Sequence, residues 1–386
     1  MLEIKQLPKE DYKDFFKAAL NIYKSDSNWI CPLNDEIAGI FNEQKNQLLK
    51  NGNSSKWVCY QNGIACGRIA AFWTEKKSKK QKPFAGGIAF FDCINSQEAA
   101  NMLFDVAIKW LENQGMQAVD ANTVPGENFN HWGILIDGFS KQGFGMPYNK
   151  NYYQKLFENY GFQIYFEQFS YHVDLTKNFP ERHQAFAEHI INSGEFNFEH
   201  FSHKNPEKYI SDLTQIFNDV WSAFHADYVA LDKNVFQKMY SEIKPILNQD
   251  FVWFAYKDHK PVAMEICFPD INQIIKPFKG KLNLLNKIRF ALNLKKIDRA
   301  RLLVFGVNPD YHHTGLMQAL FLKMVESLKN SGIKELEMSW VGDYNPKVNK
   351  LYKHLGNTKL AKTHATFRFM IDKTIPFQRF TNDTES

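Results

Sequence analysis

"RLLVFGVNPDYHHTGLMQALFLKMVESLKNSG" runs from Arg301 to Gly332. Its opening apolar run, rich in Leu, Val and Phe, reads as a buried strand, and Pro309 ends it. From Leu316 onward apolar residues return at helical spacing, and Gly332 suits a helix C-terminus. Such a junction can be a metal site, an anion cradle or a plain turn. Adjacent histidines on a turn diverge, and no Cys or carboxylate cluster at ligand spacing accompanies His312 and His313, so no metal is expected. A glycine followed by a helix N-terminus presents outward N–H groups and the positive end of the helix dipole, which suits a phosphate.

Length and composition frame this junction. A chain of 386 residues is too long for one ordinary core, so two domains are expected. No run of apolar residues is long enough to span a bilayer, and "MLEIKQLPKEDY" lacks the apolar core of a signal peptide. The five cysteines form no C-x-x-C pair, and reduced thiols in the cytoplasm are the simple expectation.

The chain also repeats itself. "WVCYQNGIACGRIAAF" from Trp57 and "WFAYKDHKPVAMEICF" from Trp253 both read as β-hairpins turning at Asn62-Gly63 and Asp258-His259. "YNKNYYQKLFENYGF" from Tyr148 and "YNPKVNKLYKHLGNT" from Tyr344 both read as a helix ending near a glycine, Gly161 or Gly356. Between these landmarks each half carries a strand, a helix and a strand. The first helix opens at Ser96, a suitable N-cap, and stops at Gly115. The expected fold is α/β, in two tandem domains, each a mixed central sheet flanked by helices. The join is expected in "DLTKNFPERHQ", giving domains 1–178 and 179–386.

This order of elements resembles the GNAT superfamily of acyl-CoA N-acyltransferases, in tandem. That family's phosphate loop reads [Q/R]-x-x-G-x-[G/A]. The matching residues are His312, His313, Thr314, Gly315, Leu316 and Met317, led in by Phe305 and Val307. His312 replaces Gln or Arg, and Met317 replaces Gly or Ala. The resemblance implies an acyl-CoA co-substrate, acetyl-CoA or longer, with its pyrophosphate on this loop. It also implies that Asn345 opens the next helix and that Tyr352, seven residues on, meets the thiol end and protonates the departing thiolate. The first copy has Leu156 and Phe157 there and no glycine in its loop, so it is expected to be degenerate. Glu265, in "PVAMEICF", is the candidate general base, and Asp270 and Asn272, in "FPDINQ", are candidates for the acceptor pocket.

"NWICPL", "LIDGF", "IFNDVW" and "FPDINQ" further resemble a group of bacterial tandem proteins of this length, distantly similar to bacterial ceramide-synthase-like N-acyltransferases. That resemblance implies an amine acceptor, with a long-chain lipid amine among the options. Lys276 to Arg301 holds nine Lys or Arg and one acid, Asp298, with Leu284, Leu285, Ile288, Ala291 and Leu292 on one helical face. It suits an anionic membrane, as a peripheral contact at the inner face, or else packs its leucines on the protein's own core. Three other functions stay open at this point. One is a Fem-like transferase using aminoacyl-tRNA, the only expected nucleic-acid partner. Another is a non-catalytic GNAT-like binding protein. The third is a small-molecule amine acetyltransferase, which needs no membrane contact.

Overall fold

In the computed structural model the described residues are 1–386 except 47–48, 50, 80–81, 127–128, 225–229, 356 and 382–386. Gly356 therefore lies outside the described residues. The chain forms two compact units. The first comprises Met1–Gln168, Asn272–Asn293 and Lys362–Phe380, and the second is chiefly Phe169–Ile271 and Leu294–Ala361. The compact units are thus not the contiguous stretches 1–178 and 179–386. A strand belongs where its edges find partners. Residues 363–370 pair with Ala118–Ala121 and Ile134–Asp137 in the first unit. Residues 169–174 lie beside Glu335–Gly342 in the second. Each unit thus includes a strand segment that lies, in sequence, with the other half of the chain.

The first unit orders its sheet Leu2–Gln6, Asn53–Gln61, Ile64–Trp73, Ala85–Cys93 and Ala118–Ala121. Only the last of these pairings is parallel. The helix Gln97–Asn113 makes the crossover, with Ser96 Oγ accepting from Ala99 N at 3.3 Å. Its Leu103, Phe104, Ala107 and Leu111 enter the core of this unit.

The second unit repeats the plan with Asn197–His200, Val252–Lys257, Lys260–Pro269, Arg299–Val307 and Glu335–Gly342. Again the last pairing alone is parallel, and the helix Leu316–Asn330 crosses over. Both hairpins turn through two left-handed residues, Asn62-Gly63 and Asp258-His259. Such turns match the twist of paired strands.

The basic stretch does not act as one piece. Arg299 and Arg301 are strand residues buried in the second unit. The Arg299 guanidinium bonds Glu337 through Nη2 and sits 3.5 Å from Asp270 through Nη1. Residues Asn272–Asn293 belong to the first unit and carry the helix Leu284–Asn293, whose leucines face outward rather than into a core.

The Arg299 pair sets a stability expectation. Removing one partner of a buried pair leaves an uncompensated charge, which costs about 3–5 kcal/mol. Glu337→Ala should lose about 3 kcal/mol, since Asp270 remains. Urea unfolding measures it, and an unchanged midpoint would show the pair to be dispensable.

Candidate active site

The strands Arg299–Val307 and Glu335–Gly342 are parallel partners only from Arg299↔Glu335 to Leu302↔Met338. Both then continue without pairing to each other, which leaves a wedge between residues 303–307 and 339–342. Main-chain groups along such a gap need another partner. The turn and the helix Leu316–Asn330 follow one arm of the wedge, and the helix Pro346–His354 follows the other.

Glu265 stands opposite Phe305, one strand in from the gap. Neighbouring strands are about 4.8 Å apart. Alternation fixes the side it faces. A Cβ at Gly306 would meet Val220 and Trp221 of the helix Pro206–Phe224, and Met264. Ala263 and Val307 pack instead on Leu316 and Leu320. Glu265 and Phe305 share the face of Ala263 and Val307, toward the Leu316 helix.

Glu265 is 0% exposed, and neither carboxylate oxygen has a hydrogen-bond partner. Burial raises its pKa well above the ordinary carboxylate value. Tyr352, 6% exposed, lies within electrostatic reach of it. The Tyr352 hydroxyl is pushed up by burial first, then by Glu265, Cys267 and Tyr171. It takes no hydrogen-bond partner among the described residues. A fully buried carboxyl without a partner and a largely buried phenol thus lie within electrostatic reach of each other.

Two residues that sequence reasoning missed hold this pair. Tyr171 packs edge-on to the Tyr352 ring at 5.7 Å between centroids, and its hydroxyl donates to Asn349 Oδ1 at 2.9 Å. Asn349 Nδ2 donates to the carbonyls of Gly342 and Asn345 at 2.8 and 2.9 Å. This ties the Tyr352 helix to the end of the Glu335–Gly342 strand. Asn349 was findable as a polar residue on the inner face of its helix, one turn before Tyr352. Tyr171 was not, because its strand lies in sequence with the first copy.

The remaining candidates fall as follows. Asn345 caps the Tyr352 helix, its Oδ1 accepting from Val348 N at 3.1 Å. His312 bonds the Val307 carbonyl through Nε2 at 2.9 Å, closing the turn. Thr314 Oγ1 donates to Tyr311 O at 2.8 Å and accepts from Leu316 N at 3.3 Å. Met317 packs with the Val307–Leu316 cluster, so its side chain leaves its own N–H clear. The N–H groups of His313, Gly315 and Met317 have no partner among the described residues.

Gly315 has φ +78, and a Cβ there would meet Phe186 at 2.6 Å and Ile190 at 3.2 Å. Both belong to the helix Glu181–Asn192. The positive φ favours glycine in its own right, and the Phe186 ring, 46% exposed, would have to give way to a Cβ. Asp270 and Asn272 are not gathered at Glu265. Asp270 joins the ion pair at the start of the Arg299 strand, five positions from Glu265, roughly 17 Å along a strand. Asn272 belongs to the first unit and donates to Gln142 O at 3.2 Å. No cluster of three His, Cys, Asp or Glu fit for a metal occurs among the described residues.

The equivalent place in the first unit is filled. Cys93 stands where Val307 stands, eight residues past the first parallel pair of its strand. Its N–H donates to Tyr153 Oη at 2.9 Å, and its carbonyl accepts from Tyr152 at 2.8 Å. Beside it Asp92 is satisfied by Arg68 and Tyr23, both at 2.7 Å. Side chains of the unit itself occupy the strand end that is open in the second unit.

Two expectations follow. Gly315→Ala should cost roughly 2 kcal/mol from the forced φ and the contact with Phe186, and about 1 kcal/mol less in a Phe186→Ala background. Thermal unfolding of the four proteins measures this, and equal costs in both backgrounds would clear Phe186. Glu265 gives a pH signature. Its folded pKa is raised, so the unfolded chain releases this proton first as pH rises. Stability should therefore fall with pH from the ordinary carboxylate value up to the raised one. Glu265→Gln should flatten that part of the profile, and an unaltered slope in urea titrations at several pH values would place the burden elsewhere.

Residues 212–356, which span Glu265, the turn and Tyr352, match the model of the acetyltransferase (GNAT) family. The chain is 25% identical over 372 residues to Protein YghO of Escherichia coli (strain K12), covering 91% of this chain and 90% of that protein. It is 23% identical over 362 residues to the bacterial ceramide synthase of Caulobacter vibrioides (strain NA1000 / CB15N), covering 90% and 92%. A tandem GNAT protein from the clavulanic acid biosynthesis pathway shares the fold at a TM-score of 0.57, with 10% identity, over 98% of this chain and 100% of that one. The chain thus has the tandem GNAT fold and is distantly similar to a bacterial ceramide synthase.

Proposed function

We propose that this tandem GNAT fold is an N-acyltransferase whose second unit moves an acyl group from a coenzyme A thioester to an amine. The observation that carries the proposal is the buried, unpartnered Glu265 carboxyl within electrostatic reach of the Tyr352 phenol. The wedge beyond Leu302 and Met338 offers strand edges to the amide-bearing arm of the thioester. The free N–H groups at His313, Gly315 and Met317 suit its pyrophosphate.

In this reading the amine enters neutral, because burial disfavours its ammonium form. Nitrogen attacks the thioester carbonyl and becomes positive. Glu265 carboxylate accepts the proton, the C–N bond stands, and the C–S bond breaks. Tyr352 gives its proton to the departing thiolate and regains one from Glu265, so the amine proton ends on the thiol. The coupling between the two groups sets the order. While Glu265 is charged it raises the Tyr352 pKa. Once Glu265 is protonated that influence vanishes, and the phenol becomes the stronger acid as the thiolate leaves. Tyr171 and Asn349 position the phenol. The likeness to a ceramide synthase favours a long-chain lipid amine as acceptor.

Thiol release from acetyl-CoA and palmitoyl-CoA with a panel of amines tests this. Tyr352→Phe should lower turnover roughly 100-fold or more with little change in acyl-CoA affinity. Wild-type activity should rise with pH through a pKa above the usual carboxylate range, because protonated Glu265 cannot act as a base. Glu265→Gln should be slow and lack that limb. Wild-type turnover in both variants would overturn the assignment.

A further inference from the structure

The helix Leu284–Asn293 is turned inside out. Leu284, Leu285, Ile288 and Leu292 are 73%, 68%, 51% and 74% exposed, whereas Asn286 is its buried residue. Asn286 Nδ2 donates to Lys281 O at 2.8 Å, so the amide side chain secures the inner face. At roughly 100° per residue, Ala291, Leu284, Ile288, Leu292 and Leu285 fill one continuous arc. Lys287 borders that arc on one side and Arg289 on the other.

The connection into the helix is fixed rather than loose. Lys276 Nζ donates to Ser27 O at 2.7 Å, and Asn34 N donates to Gly280 O at 2.8 Å. Gly280 sits so close to Asn34 that a Cβ would meet its Oδ1 at 2.3 Å. The first unit therefore holds the helix with its leucines outward. Residues Asn272–Asn293 carry Lys276, Lys279, Lys281, Lys287 and Arg289 and no acid. Lys279, Lys281, Lys287 and Arg289 have no ion-pair partner among the described residues.

We propose that this face docks the protein on an anionic lipid bilayer, with Leu284, Leu285, Ile288 and Leu292 below the headgroups and Lys287 and Arg289 at their level. A bilayer fits both halves of the pattern. Its interior takes an apolar arc, and its anionic headgroups take the two cations that border it. A protein groove would take the leucines but gives no reason for an acid-free basic rim. No helix among the described residues is long and apolar enough to cross a membrane, so the contact is interfacial. The inference that the amine acceptor is drawn from that bilayer rests on the acyl-transfer reading. The docking itself does not.

Co-sedimentation of the full chain with vesicles of phosphatidylcholine, with and without phosphatidylglycerol, tests the dock without any acyl donor. Binding should need the anionic lipid and weaken as salt rises. Lys287→Gln with Arg289→Gln should lower the partition coefficient roughly tenfold or more. Leu285→Ser with Leu292→Ser should lower it at least as much, and these exposed changes leave the core untouched. A wild-type protein that ignores anionic vesicles at low salt overturns the proposal. So does loss of self-association, rather than of vesicle binding, in the leucine variant, which would make a second copy the occupant. Turnover of acyl-CoA by a protein that ignores vesicles would sink the dock alone. Vesicle binding by a protein with no affinity for acyl-CoA would sink acyl transfer alone.

Discussion

A guanidinium buried between two carboxylates closes one end of the parallel strand pair in the second unit. Arg299 opens its strand, Glu337 lies on the neighbouring strand, and Asp270 follows the strand on the other side. Three strands are held together at that end by charge that is largely buried. Such an arrangement contributes little net stability against an apolar alternative, but it is costly to break and therefore fixes register. With the bases of the strands locked, the divergence beyond Leu302 and Met338 becomes a defined gap. The turn at His312, the helix N-terminus at Leu316 and the helix carrying Tyr352 are then set along its two arms.

The two units show what the same plan does under opposite polar accounting. In the first, Asp92 is buried with Arg68 and Tyr23, and the main chain of Cys93 is satisfied by Tyr152 and Tyr153. In the second, Glu265 is as deeply buried and has nothing. An unsatisfied buried carboxyl costs folding energy that natural chains otherwise avoid. Glu265 stands one strand from where the strands open, within electrostatic reach of the Tyr352 phenol, and the proposed acyl transfer gives that carboxyl a partner in the incoming amine.

The repeat, both hairpins, the two strand–helix–strand crossovers and the turn before Leu316 were legible because they rest on local signals: hydrophobic period, turn residues, capping residues. Tyr171, which packs on the Tyr352 ring, was not. Tyr171 belongs to the second unit although it precedes the expected join, and partners 178 residues apart leave no mark on local periodicity. Asp270 read as a pocket residue because it follows the Glu265 strand, and its ion pair with Arg299 was not legible there. Gly315 read as room for a phosphate, and its φ and Phe186 supply a separate reason for it. The leucines of the Leu284 helix showed the right period, but period states that a face exists and not which way it points.

That direction is decided by the anchors at each side of the helix. Asn286 turns inward because its amide can satisfy the carbonyl of Lys281, and once it does, residues two positions away are carried roughly 200° round, to the outside. The backbone contacts at Asn34 and Gly280 prevent the helix from rolling to bury its leucines. The exposed arc is therefore built into the fold of the first unit rather than left over from it. The proposed bilayer contact rests on that combination: an apolar arc held outward by polar anchors, with Lys287 and Arg289 along its border.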